Sequence, residues 1–208
     1  MSHDQYRCNL GFANEVFPPG VHICQIFSND QERLEALLGF LESGIDAREK
    51  TACFTEKLDD EIFSAYLAEL GHSLEELRSS GALTKSGSTE VYFQDGRFDP
   101  EQMLALLRQF YEDSVTKGYP AARVIGEMTS DVQHIPGGSR LMEYESRVSM
   151  LQRECPVTTV CQYDAQAFDG ATIMQILKVH PLMVMHGSVV HNPFYVQPEE
   201  YLAQQREG

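Results

Sequence analysis

The residues best equipped for chemistry in this sequence stand at the edges of short apolar runs. HICQIF (22–27) holds His22 and Gln25, and TACFTE (51–56) ends in Glu56. RVIGEM (123–128) carries Glu127, VTTVCQYD (157–164) ends in Gln162, Tyr163 and Asp164, and PLMVMHG (181–187) closes on His186. Amides, imidazoles and carboxylates in such places recognise small molecules by hydrogen bonding. A carboxylate inside an apolar run, as at Glu127, is costly to bury unless it is paired. Each residue alone also has an ordinary explanation, because a strand must turn polar where it leaves the core. As a set they predict one ligand-binding pocket, provided the runs are neighbouring strands: open parallel sheets bind ligands outside the carboxyl ends of their strands.

Other chemistries find less support. A phosphate-cradling loop needs a glycine-rich turn ending in Lys-Ser or Lys-Thr after the first strand. Here Phe27 is followed by SNDQERLEALL, which has no glycine or lysine and places carboxylates where a triphosphate would sit. No GxGxxG follows any strand candidate either, so nucleotide hydrolysis is not expected. Zinc sites use His and Cys, and His22 and Cys24 would share one face of a strand. Yet His180, His186 and His191 match no established ligand spacing, and no metal or cofactor is expected. Gly137-Gly138-Ser139 lacks the frame of a nucleophile elbow, and Ser139 reads as a helix cap. The chain is expected to be non-catalytic.

The elements that must position these residues alternate. VHICQIF (21–27) reads as a buried strand. Asn29 or Asp30 then caps a helix whose apolar face is Leu34, Leu37, Leu38, Leu41 and Ile45. TACFTE is the next strand. Asp59 or Asp60 starts a helix with Ile62, Phe63, Tyr66, Leu67 and Leu70 inward, and Gly71 stops it. Ser73 and Glu76 form a capping box for a short helix. Ala82–Lys85 and Glu90–Phe93 read as two brief strands, and Asp99-Pro100 opens a further helix. After RVIGEM come a helix with Leu141, Tyr144, Val148 and Leu151, the strand at 157–163, and a helix opened by Asp169-Gly170. His180 before Pro181 ends that helix. The run 181–187 is a last central strand, and a short tail helix starts at Pro198. The pattern is α/β: a three-layer fold with a mostly parallel central sheet flanked by helices.

Composition narrows the partners. Lys plus Arg number 16 against 31 Asp plus Glu, a formal charge of −15, so binding to nucleic acid or an anionic membrane is disfavoured. No run reaches the length of a membrane span, and the N-terminus has no secretory pattern. Five scattered cysteines (8, 24, 53, 155 and 161) without CxxC spacing fit a reducing cytoplasm better than a disulfide framework.

In order, HICQIF, TACFTE, RVIGEM, VCQYD and KVHPLMVMHGSVVHNPFYV make the chain similar to the MEDS domain, the methanogen/methylotroph DcmR-type sensory domain. The likeness spans approximately residues 20–197, with 1–19 as an N-terminal extension and 198–208 as a tail. It implies a RecA/KaiC-like fold without a P-loop and a module that senses simple hydrocarbon derivatives. By position, His22, Gln25, Glu127, Gln162, Tyr163, His180, His186, Asn192 and Tyr195 fall in the matching segments. The implied partners are a small-molecule ligand and a separate signalling protein: a kinase, an anti-sigma factor or a transcription regulator. No output module follows Gly208, so a separate partner is expected, and a homodimer is compatible with the sequence. The alternatives are an interaction adaptor with a vestigial pocket and a metal-dependent enzyme.

Overall fold

Apolar residues recur at strand and helix periods from end to end of this chain, and both kinds of element form where they do. The computed structural model describes residues 6–207. Its elements begin with a two-stranded antiparallel ribbon, β1 (Cys8–Asn9) and β2 (Val16–Phe17). There follow β3 (His22–Phe27), α1 (Asp30–Asp46), β4 (Lys50–Phe54), α2 (Asp60–Glu69), α3 (Leu74–Ser79) and β5 (Leu83–Ser86). Next come α4 (Ser88–Tyr92), α5 (Pro100–Thr116), β6 (Ala122–Met128), α6 (Leu141–Leu151) and β7 (Val157–Asp164). The chain closes with α7 (Gly170–Val179), β8 (Leu182–Met185), β9 (Ser188–His191) and α8 (Pro198–Glu207).

The main sheet has the order β5-β4-β6-β7-β3-β8-β9 and is parallel except for β9, which runs antiparallel to β8. Helices cover both faces, which is why β4 and β6 are buried along their whole length. One core joins the sheet to α1, α2 and α3; the other joins it to α4, α5, α6 and α7. The expected three-layer α/β architecture is present.

The helix caps act as the sequence suggests. Asn29, Asp59, Ser73, Asp99 and Asp169 each accept a backbone N–H of the first turn, and Pro100 opens α5. His180 ends α7 in extended geometry. The tail helix α8 forms and lies against both α6 and α7, with Tyr201 buried and its hydroxyl donating to Gln175.

Several expectations fail for local reasons. Glu90–Phe93 lies in and just after helix α4, not a strand: Gly87 opens it and Glu56 accepts the Thr89 N–H at 2.8 Å, supplying the cap a helix start needs. Ser139 caps nothing, because it sits inside a 3-10 turn at 138–140 that runs straight into α6. Ile62 points outward, 66% exposed, since α2 touches the sheet only through the narrow stripe of Phe63 and Leu67. The buried stripe of α1 is Arg33, Ala36, Leu37, Phe40, Leu41, Gly44 and Ile45, so Leu34 and Leu38 lie at its margin and an arginine heads it. Finally, the run ending at His186 is a hairpin arm at the sheet edge. His186 (φ 50°) and Gly187 (φ 73°) form a two-residue turn with both residues left-handed, the geometry a tight hairpin between twisted strands demands.

Candidate functional site

Strand register decides which polar residues meet. In a parallel sheet, residues level with one another across strands point to the same face. Gln25 is level with Gln162, and Gln162 with Glu127. These three therefore form a row on the α1 face. His22 and Cys24 point the other way, level with Thr159 and Cys161, and Tyr163 lies two residues further along the same face of β7. The expected single pocket is thus two clusters on opposite faces of β3 and β7.

On the α1 face the row is filled by protein. Gln162 Nε2 donates to Gln25 Oε1 at 2.7 Å and to the Arg33 carbonyl at 3.0 Å, and Gln25 Nε2 donates to the Glu32 carbonyl at 3.2 Å. Glu127 is almost fully buried. It accepts from Thr55 Oγ1 at 2.9 Å, pairs with Lys57 Nζ at 2.6 Å, and has Arg33 Nη1 at 3.8 Å. Arg33, also buried, donates through Nε to Asp30 at 2.7 Å. Only Ser28 and Asn29 separate β3 from α1, too short a link to wrap a phosphate. The N-terminus of α1, which would otherwise attract an anion, is capped by Asn29 and faces Asp30 and Glu32 of its own first turn.

On the opposite face, α6 lowers Glu145 onto the sheet. Glu145 Oε1 accepts from the Tyr163 hydroxyl at 2.6 Å. Its Oε2 lies 3.2 Å from His22 Nε2, 3.6 Å from His180 Nε2 and 3.7 Å from Cys161 Sγ, while Cys161 Sγ is 3.5 Å from His22 Nε2. His22, Glu145 and His180 are at most 1% exposed. Burial, then the neighbouring His180, pushes the His22 imidazolium down to about 4, so this ring is neutral at pH 7. Burial alone would raise the Glu145 carboxyl, but its contacts with His180 and His22 hold it below the usual carboxylate range. Burial and Glu145 push the Cys161 thiol well up.

Each imidazole is anchored from behind. His180 Nδ1 donates to the Ile176 carbonyl at 2.8 Å, and His22 Nδ1 meets Ser149 Oγ at 2.9 Å. Asn192 holds the His180 segment by donating to the His180 and Leu177 carbonyls. A cleft of about 350 Å³, lined by Val21, Ser149, Gln152, Pro181, His191 and Tyr195 among others, reaches His22 from outside.

The remaining sequence candidates stand apart. Glu56 is exposed and serves α4. Asp164 closes a turn by accepting the Gln166 N–H. His186 is exposed in the hairpin turn, because that turn carries the chain out of the sheet. Sequence reasoning missed Arg33, Glu145 and the place of Cys161 between His22 and Glu145. Two of these had a signal: Glu145 lies on the apolar stripe 141-144-145-148 of α6, and Arg33 on the stripe 33-36-37-40 of α1.

A family model matches residues 21–181: MEDS, "MEthanogen/methylotroph, DcmR Sensory domain". No curated protein matches the chain. Among solved structures, the KaiC-like protein PH0186 from the hyperthermophilic archaeon Pyrococcus horikoshii OT3 is similar at TM-score 0.59 and 13% identity, over 86% of this chain and 79% of that one. The flagellar accessory protein FlaH from Methanocaldococcus jannaschii is similar at TM-score 0.60 and 13% identity, over 88% of this chain and 83% of that one. At that identity the likeness carries the RecA/KaiC-type fold and nothing about activity.

Proposed function

This chain belongs to the MEDS family, and on that premise we propose that it is a non-catalytic sensory domain that binds a small molecule and relays the bound state to a partner protein. One observation carries the non-catalytic half. The place after β3 where a nucleotide-binding relative would hold phosphate contains Arg33 and Lys57 drawn against Glu127, with a two-residue link and an acidic helix start. Cations already engaged by a buried carboxylate do not serve a triphosphate, and Asp30 and Glu32 repel one.

The ligand we assign is small and neutral or weakly polar, in keeping with a simple hydrocarbon derivative. It enters the cleft beside Ser149, where the Ser149 hydroxyl and polar groups such as Gln152 and Tyr195 offer hydrogen bonds beside the apolar Val21, Pro181 and Leu182. Ser149 lies on α6, and the cleft wall at Pro181 follows the end of α7, so a ligand there favours one arrangement of these helices over another.

Thermal-shift and calorimetric screening of short alcohols, halogenated methanes, carboxylates and ATP-Mg²⁺ tests the reading. A neutral ligand is expected to raise Tm in the wild type and to lose that effect in Ser149→Ala, while ATP-Mg²⁺ does nothing. ATP turnover that disappears in Glu127→Gln would sink the proposal.

A further inference from the structure

We infer that His22, Glu145, Cys161 and His180 form a closed, four-coordinate site for a divalent metal ion of the zinc class. The inference stands apart from the sensory reading and does not need it.

The geometry is the first argument. One ligand atom from each residue (two Nε2, one Oε2 and one Sγ) lies within 4.8 Å of the others. Bonds of about 2.0–2.3 Å to a tetrahedral zinc place neighbouring donor atoms roughly 3.3–3.6 Å apart. Four of the six separations, at 3.2, 3.5, 3.6 and 3.7 Å, lie close to such edges, and the other two are within 4.8 Å. These atoms come from β3, α6, β7 and the end of α7, so the whole fold brings them together and no local turn explains the meeting.

The second argument is a buried ring nitrogen without a hydrogen bond. His180 Nε2 is buried, makes no hydrogen bond, and points at the carboxylate. Its Nδ1 is spent on the Ile176 carbonyl, so Nε2 is the ring nitrogen placed to ligate a cation in the cluster. At 3.6 Å Nε2 and Glu145 Oε2 are too far apart for a hydrogen bond, and a metal ion between them would engage both.

The outer contacts are those that metal sites use to fix their ligands. Ser149 holds His22 by Nδ1, the Ile176 carbonyl holds His180 by Nδ1, and the Tyr163 hydroxyl takes Glu145 Oε1, leaving Oε2 for the metal. Charge closes the case. Among the described residues no lysine or arginine pairs with Glu145, whose near neighbours are the two histidines. A divalent ion bound by one carboxylate and one thiolate leaves a neutral unit in the core. The mixed nitrogen, oxygen and sulfur set suits zinc, and disfavours magnesium or calcium, which require all-oxygen sites.

The test uses the full chain purified without a histidine tag. Elemental analysis after dialysis is expected to find roughly one zinc per chain. Chelator-stripped protein loaded with Co²⁺ is expected to show intense tetrahedral d–d bands and a thiolate-to-cobalt charge-transfer band. Cys161→Ser is expected to lose the charge-transfer band, and His180→Ala to bind cobalt at least tenfold more weakly. Cys24→Ser, which removes the thiol level with Cys161 on the neighbouring strand, is expected to change neither. Folded wild-type protein that takes up neither zinc nor cobalt overturns the inference, as does a charge-transfer band that survives in Cys161→Ser. Because the wild-type spectrum decides alone, a variant that fails to fold does not rescue it.

Discussion

β3 and β7 bury polar residues on both faces, and the two faces treat them in opposite ways. Beneath α1, opposite charges meet: Glu127 faces Lys57 and Arg33, Arg33 faces Asp30, and the amides of Gln25 and Gln162 bond each other and the helix backbone. Beneath α6, one carboxylate, a thiol and two imidazoles gather without lysine or arginine, and one ring nitrogen is left unbonded. The first face has supplied its own cations for its buried carboxylate. The second has assembled only electron-pair donors. The first arrangement is balanced within the protein; the second is the one into which a cation would fit.

The contrast is most easily broken at Arg33. Arg33→Met strips Glu127 of its buried guanidinium and is expected to cost about 3–5 kcal/mol in urea unfolding. Combining it with Glu127→Leu should recover more than half of that; failure to recover would mean Arg33 matters for packing rather than charge. On the other face, zinc at roughly 100 times its Kd should raise wild-type stability by about 2.7 kcal/mol. Glu145→Gln should abolish this gain, and an equal gain in that variant would dissolve the distinction between the faces. Tyr163→Phe, which removes the donor to Glu145 Oε1, should cost about 2 kcal/mol.

The smallest expected effect is alkaline. Burial pushes Cys53, on the α1 side of the sheet, from 9.0 to about 12, and Cys8 to about 11. Both thiols are kept protonated by the fold, so their contribution is whole below pH 9 and is lost as pH rises towards those values. From roughly pH 9 to 10 each should remove about 1 kcal/mol of unfolding free energy. Cys53→Ala should remove its own share, about 1 kcal/mol, of the loss between pH 9 and 10, and an unchanged slope would refute the assignment.

The sequence disclosed the frame more readily than the sites. Side-chain caps at Asn29, Asp59, Ser73, Asp99 and Asp169 are local chemistry, readable within four residues, and they located the helices. The strands carrying Gln25, Glu127 and Gln162 were legible from their apolar runs. What failed was anything set by register. The alternation that puts Gln25 and His22 on opposite faces is visible in one strand, yet the partners each face acquires depend on pairing 137 residues away. Glu56 and His186 misled for a related reason: both end apolar runs, but one chain turns into a helix start and the other into a hairpin at the sheet edge. Glu145 could have been suspected, since it occupies the apolar stripe of its helix where a leucine would be ordinary.

The tail helix α8 gains a meaning from where it rests. It bridges α6, which carries Glu145 and Ser149, and α7, which ends at His180. Arg153, just beyond α6, pairs with Glu199 of α8, and Tyr201 reaches Gln175 of α7. The single rod α8 therefore straddles the two helices whose ends hold the buried cluster, and any change in their spacing would meet it from both sides.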